Sequence, residues 1–220
     1  MSQGSVAKVD PPVTSQRIGA IVLAGGRSAR MGRDKATIEI DGINLLTRVV
    51  AALTPVARAG IVVVAAADQE LATLPSNVVV VRDETPFAGP LVALERGIAA
   101  LDPTLVSFFL CATDLPRLDA AVVARIVALR GCQDAAVPET DGALQPLAAA
   151  YSVQIADRVS ALVARGERSM RALLGTLAIR RVTREDLLGD EAVRTCDPGL
   201  ASLTDVDTPM DLEALRTRLG

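Results

Sequence analysis

Residues 18–36 read IGAIVLAGGRSARMGRDKA. An unbroken run of apolar and small residues, IGAIVL, leads into two glycines. Three arginines and a lysine follow within nine positions: Arg27, Arg30, Arg33 and Lys35. The unbroken apolar run predicts a strand buried on both faces of a sheet. Glycine lets the backbone after it come close to a ligand or turn through positive φ. Successive amides in such a turn form a nest for anions. On composition alone, a solvated basic connection between two elements is an equal reading. The stretch is neither a G-x-x-x-x-G-K-[ST] loop nor a G-x-G-x-x-G turn.

Working outward from that strand, apolar runs alternate with helical patterns. TIEI (37–40) is a short strand turned by the Asp-Gly at 41–42. Leu45, Leu46, Val49, Val50 and Leu53 fall at helical spacing. GIVVVAA (60–66) and NVVVVR (77–82) read as buried strands. Pro90 opens a helix, with Leu91, Leu94, Ile98 and Leu101 on one face. LVSFFLCA (105–112) is a central strand. LDAAVVARIVALRG (118–131) is a helix capped by Asp119 and ended by Gly131. DAAVPE and ALQPLAAAYS read as strands, and helical stretches follow at about 152–164 and 167–175. This alternation predicts an α/β chain: a Rossmann-like, doubly wound, mostly parallel sheet with helices on both faces. We expect a disordered leader over 1–16 and one domain over 17–220.

Composition narrows the function. Half of the 220 residues are apolar, enough for a sizeable core, but aromatics are only 2%. With so few rings and a net charge of −3, neither a stacking platform for single strands nor general nucleic-acid binding is expected. The chain has no histidine, which removes His-based acid–base catalysis, Ser-His-Asp triads and His-ligated metals. A metal here is bound by oxygen, as Mg²⁺ is. The three cysteines, Cys111, Cys132 and Cys196, lack metal-ligand spacing, and their odd number suits a reducing cytoplasm. No apolar run is long enough for a membrane span, and the first residues lack a signal core.

In an open parallel sheet, ligands sit beyond the carboxyl ends of the strands. The basic turn follows the first strand, Asp83 follows NVVVV, and Asp114 follows LVSFFLCA. Parallel strands would gather all three at one crevice. Lys35 is a compact cation for a β- or γ-phosphate, and Arg30 is the next candidate. Asp114 either holds a divalent cation or caps the following turn; a polyphosphate nearby favours the cation. Asp83 binds a sugar hydroxyl, a base edge or nothing. Asp205 and Asp207, in TDVDTP, either cap the last helix or reach the site.

LAGGRSARMGRDKA resembles the signature of nucleoside triphosphate transferases of the molybdenum cofactor guanylyltransferase type. RDETPFAGPL, ATDLP, GERSMRALL and TDVDTPMDL resemble further motifs of that family, so the likeness runs from about residue 18 to 215. The resemblance implies an Mg²⁺-dependent nucleotidyltransferase. It would move GMP from GTP onto the phosphate of a molybdopterin-type cofactor and release pyrophosphate. Leu23, Ala24, Gly25 and Gly26 would meet the nucleotide, the first three contacting guanine through their backbone. Lys35, with Arg30, would bind and neutralise the phosphates, Asp83 would help hold the nucleoside, and Asp114 would bind Mg²⁺. GERSMRALL would face the pterin. Transient contacts with cofactor-inserting proteins or molybdoenzymes would follow. Asp205 and Asp207 stand where the guanylyltransferases carry asparagines, as in the related cytidylyltransferases and sugar-phosphate nucleotidyltransferases. The alternative is therefore one of those relatives. LAGG is the guanylyltransferase form; the cytidylyltransferases tend to carry LAAG.

Overall fold

The strand at 18–23 is the hub of the sheet. In the computed structural model, which describes residues 17–25, 38–83, 88–206, 210, 211 and 213, β1 (Ile18–Leu23) is buried at every position. A short hairpin follows, β2 (Glu39–Ile40) and β3 (Ile43–Asn44). Asp41 and Gly42 turn it with φ of 53° and 73°, the left-handed pair that matches the twist of two strands. α1 (Leu45–Leu53) begins at Asn44, whose side chain accepts from the Thr47 N–H at 2.7 Å. β4 (Ile61–Ala66), β5 (Val78–Asp83), α2 (Pro90–Ala99), β6 (Ser107–Ala112) and α3 (Ala120–Arg130) complete the first half. Pro90 does open α2, and Asp119 does cap α3, accepting from the Ala121 N–H. The second half runs β7 (Ala135–Thr140), β8 (Ala143–Leu144), β9 (Ala148–Ser152), α4 (Ala156–Ala164), α5 (Met170–Leu174), β10 (Ile179–Val182), α6 (Arg184–Leu188) and α7 (Glu191–Cys196).

The strands lie in the order β10-β7-β9-β6-β1-β4-β5, with β8 attached to β7. β1 pairs in parallel with β4 on one side and β6 on the other, and β4 with β5. Side chains alternate between two layers. Ala20, Val22, Val63 and Phe109 meet α1, α3, α6 and α7; Ile21, Val64, Phe108 and Leu110 meet α2, α4 and α5. Both faces of the sheet are thus covered, as the apolar runs require.

Three details depart from the sequence reading. The stretch 143–152 is not one strand but two, parted by residues 145–147, and β9 runs antiparallel between β6 and β7. The connection from β7 to β9 is short, and a parallel return would need a crossover of a dozen residues or more. β5 is not buried on both faces. It ends the strand order, with Val79 52% and Val80 40% exposed. β10, α6 and α7 are four to six residues long, too short for periodicity to announce them.

Asp134 pins the far edge of the sheet. Its carboxylate accepts from the Ala178 N–H at 2.9 Å and pairs with Arg158 of α4. The Ala178 amide holds the carboxyl below its ordinary value of 3.8, and Arg158 adds to this against the opposing effect of burial. A depressed carboxyl stabilises the fold above its unfolded pKa, and that contribution fades as pH falls through the folded value. Urea melts of Asp134→Asn against the parent chain should therefore differ at neutral pH, by roughly 1 kcal/mol. The gap should close under acid.

α2 lies unusually close to the sheet. A Cβ on Gly97 would sit 2.7 Å from Ile21 Cγ2 and 3.3 Å from Val64 Cγ2. Leucine is the better helix former by about 1 kcal/mol, but overpacking a filled core costs about 1–3 kcal/mol and here must house a whole side chain. Gly97→Leu should lower the melting temperature by several degrees when followed by circular dichroism.

Candidate functional site at the carboxyl edge of the sheet

Registers place the strand ends together. Leu23 lies opposite Val64 of β4 and Ala112 of β6, and Ala66 lies opposite Asp83. The turn after β1, the end of β5 and the loop after β6 therefore open on one edge. Leu23, Ala24, Gly25, Asp83 and Asp114, scattered over 92 positions of sequence, meet there because the four strands are parallel. Gly26, Arg30, Lys35 and Asp207 lie outside the described residues, as do Arg27 and Arg33.

At the turn, the Ala24 and Gly25 amides both donate to the Val64 carbonyl, at 2.8 and 3.2 Å. A Cβ on Gly25 would come within 3.1 Å of the Ala66 nitrogen, so the first glycine of LAGG serves close backbone contact with β4. The Ala24 carbonyl accepts from Gln69 Nε2 at 2.9 Å, and Gln69 Oε1 accepts from the Ala66 N–H at 3.0 Å. Arg82 of β5 donates to the carbonyls of Ala66 and Gln69. Sequence reasoning passed over both Gln69 and Arg82. Their partners are main-chain atoms, which leave no residue-type signature.

Asp83 ends β5 and is 15% exposed. Its Oδ1 lies 3.2 Å from Arg96 Nε on α2. The edge thus holds a compensated carboxylate at one end. Its position is about 14 Å from the β6 end, three strand spacings away. A single ion does not bridge Asp83 and Asp114.

Asp114 is partly buried, two residues beyond β6. Its carbonyl accepts from the Val206 N–H at 2.9 Å. Val206 is buried with Ile38, Ile40 and Leu45, so the closing motif is anchored on the β2–β3 hairpin and α1. This brings exposed Asp205 to the Asp114 loop. Ser202 secures the same loop, accepting from the Asp119 N–H at 3.0 Å and donating to the Arg117 carbonyl at 3.1 Å. Burial pushes the Cys111 thiol up, and the charge of Asp114 adds to this, so Cys111 stays protonated. Among the described residues no three acidic or thiol side chains cluster as a closed metal site.

The downstream segment arrives at the same edge. The Leu91 N–H, at the start of α2, donates to the Arg168 carbonyl at 3.2 Å. Gly89, at φ 94°, is so close to that segment that a Cβ would lie 2.9 Å from the Arg168 oxygen. The first turn of α2 thereby joins the two halves of the chain beside the crevice. Among the described residues no helix is long and apolar enough to cross a membrane.

Comparison with known proteins agrees with this architecture. A model of the MobA-like NTP transferase domain matches residues 20–182. A Mycobacterium tuberculosis H37Rv protein named "probable molybdenum cofactor guanylyltransferase" is 40% identical over 172 residues, covering 77% of this chain and 85% of that one. A Mycobacterium marinum protein of the same name is 36% identical over 201 residues, covering 90% and 92%. The crystal structure of molybdopterin-guanine dinucleotide biosynthesis protein A from Archaeoglobus fulgidus has a TM-score of 0.70 at 21% identity, covering 91% of this chain and 98% of its own. With the family model matching residues 20–182 and a relative 40% identical across most of both chains, the chain belongs to the MobA-like NTP transferase family.

Proposed function

We propose that this chain is a molybdenum cofactor guanylyltransferase that transfers GMP from GTP to the phosphate of a molybdopterin-type cofactor. The observation that carries the reading is the 40% identity to the named M. tuberculosis relative across most of both chains. The gathering of the LAGG turn, Asp83 and Asp114 at one edge supports it.

An oxygen of the acceptor phosphate attacks the α-phosphorus of GTP. A new P–O bond forms there, the bond from the α-phosphorus to the α–β bridging oxygen breaks, and pyrophosphate leaves with the electron pair. The attacking group is already ionised, so a chain without histidine loses nothing. What it must do is bring two anions together and neutralise them, by positioning and electrostatics. Lys35 and Arg30 supply cationic charge at the phosphates. Asp83, aligned by Arg96, holds the nucleoside. Because the Ala24 and Gly25 amides are committed to Val64, base recognition falls to other groups of Leu23–Gly26. Carbonyl oxygens in this turn accept, and guanine offers N1–H and its 2-amino group as donors.

A hard divalent cation fits the oxygen donors at the other end of the edge. Asp114, with Asp205 brought to its loop by the Val206 bond, would hold Mg²⁺. Bound there, Mg²⁺ would supply neutralising charge to the phosphates. The free cysteines, Cys111, Cys132 and Cys196, support a cytoplasmic setting. One observation favours a second reading, a related cytidylyltransferase or sugar-phosphate nucleotidyltransferase: Asp205 is an acid where the guanylyltransferase pattern carries asparagine.

Pyrophosphate release with Mg²⁺, molybdopterin-type cofactor and either GTP or CTP decides between the readings. Turnover with GTP and not CTP is expected; the reverse would leave the transferase class and remove the guanylyl assignment. Asp114→Ala should cut kcat/KM at least ~100-fold and abolish the response to added Mg²⁺. Lys35→Ala should weaken GTP binding or turnover sharply.

A further inference from the structure

Gln69 fastens the turn after β1 to the ends of its neighbours. It is 9% exposed. Its amide spans from β4 to a carbonyl 45 residues away, donating to Ala24 and accepting from Ala66. Arg82 holds the Gln69 carbonyl from β5 and takes the Ala66 carbonyl at 3.1 Å. Three adjacent strand ends are therefore tied by one carboxamide and one guanidinium.

The consequence falls on a single peptide unit. The Ala24 carbonyl and the Gly25 N–H belong to the same peptide plane. Gln69 binds its oxygen, and the Val64 carbonyl binds its hydrogen. The plane is held at both ends. Glycine at position 25 would otherwise make a flip of this plane cheap. A flip would exchange acceptor for donor at the very turn read as the base site. A carboxamide fits the task, since it carries a donor and an acceptor on one planar head. A carboxylate has no donor, and lysine has no acceptor.

We propose that Gln69, backed by Arg82, is a positioning residue that fixes the orientation of the Ala24–Gly25 peptide and thereby the choice of nucleotide base. The proposal rests on the reading of this turn as the base site.

Calorimetric titration of the full chain with GTP, CTP and ATP in the presence of Mg²⁺ tests it without the acceptor. Gln69→Met keeps length and removes both hydrogen bonds. Gln69→Glu keeps shape and turns a carboxylate on the Ala24 carbonyl. Each should raise the Kd for GTP about tenfold, the worth of a lost buried hydrogen bond, and narrow the ratio of GTP affinity to that of the other bases. The kcat at saturating GTP should change far less. A purely structural role would lower the active fraction for all three nucleotides alike and leave the ratio as it was; that result overturns the proposal. Arg82→Met, at an exposed position, guards against a Gln69 variant that does not fold. It should narrow the ratio in the same direction, and an unchanged ratio would again overturn the inference. The parent chain reports separately on the function: if it binds none of the three nucleotides, the transferase reading fails, whereas normal GTP preference in the parent and in both Gln69 variants removes only the role of Gln69.

Discussion

β1 has no solvent face. It is enclosed by strands on both edges and helices on both faces, so its side chains are confined to apolar packing. Polar duties are displaced to where the strand leaves the sheet. Backbone groups that step out of a ladder lose their partners, and burying them unpaired is costly. The chain meets this debt with main-chain and side-chain groups from neighbouring strands: Val64 for the amides of Ala24 and Gly25, and Gln69 for the Ala24 carbonyl. The loop after β6 is treated likewise, with Val206 on the Asp114 carbonyl and Ser202 on the turn beyond it. At this edge, the main-chain groups of Ala24, Gly25 and Asp114 that leave the ladders are thus paired within the fold.

α2 turns that local order into a joint between halves of the chain. At its first turn it meets the Arg168 carbonyl; along its length Gly97 lies on Ile21 and Val64; near its end Arg96 reaches Asp83. One helix therefore sets the distance between β1, β4 and β5 and the segment at 166–174. The Asp83–Arg96 pair is partly exposed, with Arg96 33% open, so its worth lies more in orientation than in stability.

The architecture was legible in the sequence wherever burial is two-sided and elements are long. IGAIVL, IVVVAA and SFFLCA became adjacent parallel strands, and the cap at Asp119 has a chemical signature that a sequence displays directly. NVVVV misled because a valine run looks the same in a central strand and at an edge; position in the sheet is a property of topology, not of composition. The direction of β9 was hidden for a related reason, since it is set by the length of the connection and not by the residues of the strand. Asp83 and Asp114 were singled out because carboxylates just past apolar strands are conspicuous, and the parallel strands do bring them to one edge. Gln69, Arg82 and Val206 were not, because each acts on a main-chain atom far away in sequence.

The two carboxylate ends of the edge are built for different tasks. Asp83 faces an arginine from the fold itself, which fixes the direction of its carboxylate. At the other end, the Val206 N–H donates to the Asp114 carbonyl, which brings exposed Asp205 to the Asp114 loop. Between these ends lies a turn whose peptide orientation is fixed by Gln69 and Val64. One end is an ion pair with an arginine of the fold, and the middle is a peptide bonded at both of its polar atoms. Under the proposed function, that order along a single sheet edge would present preformed groups to the base and sugar of a nucleoside triphosphate.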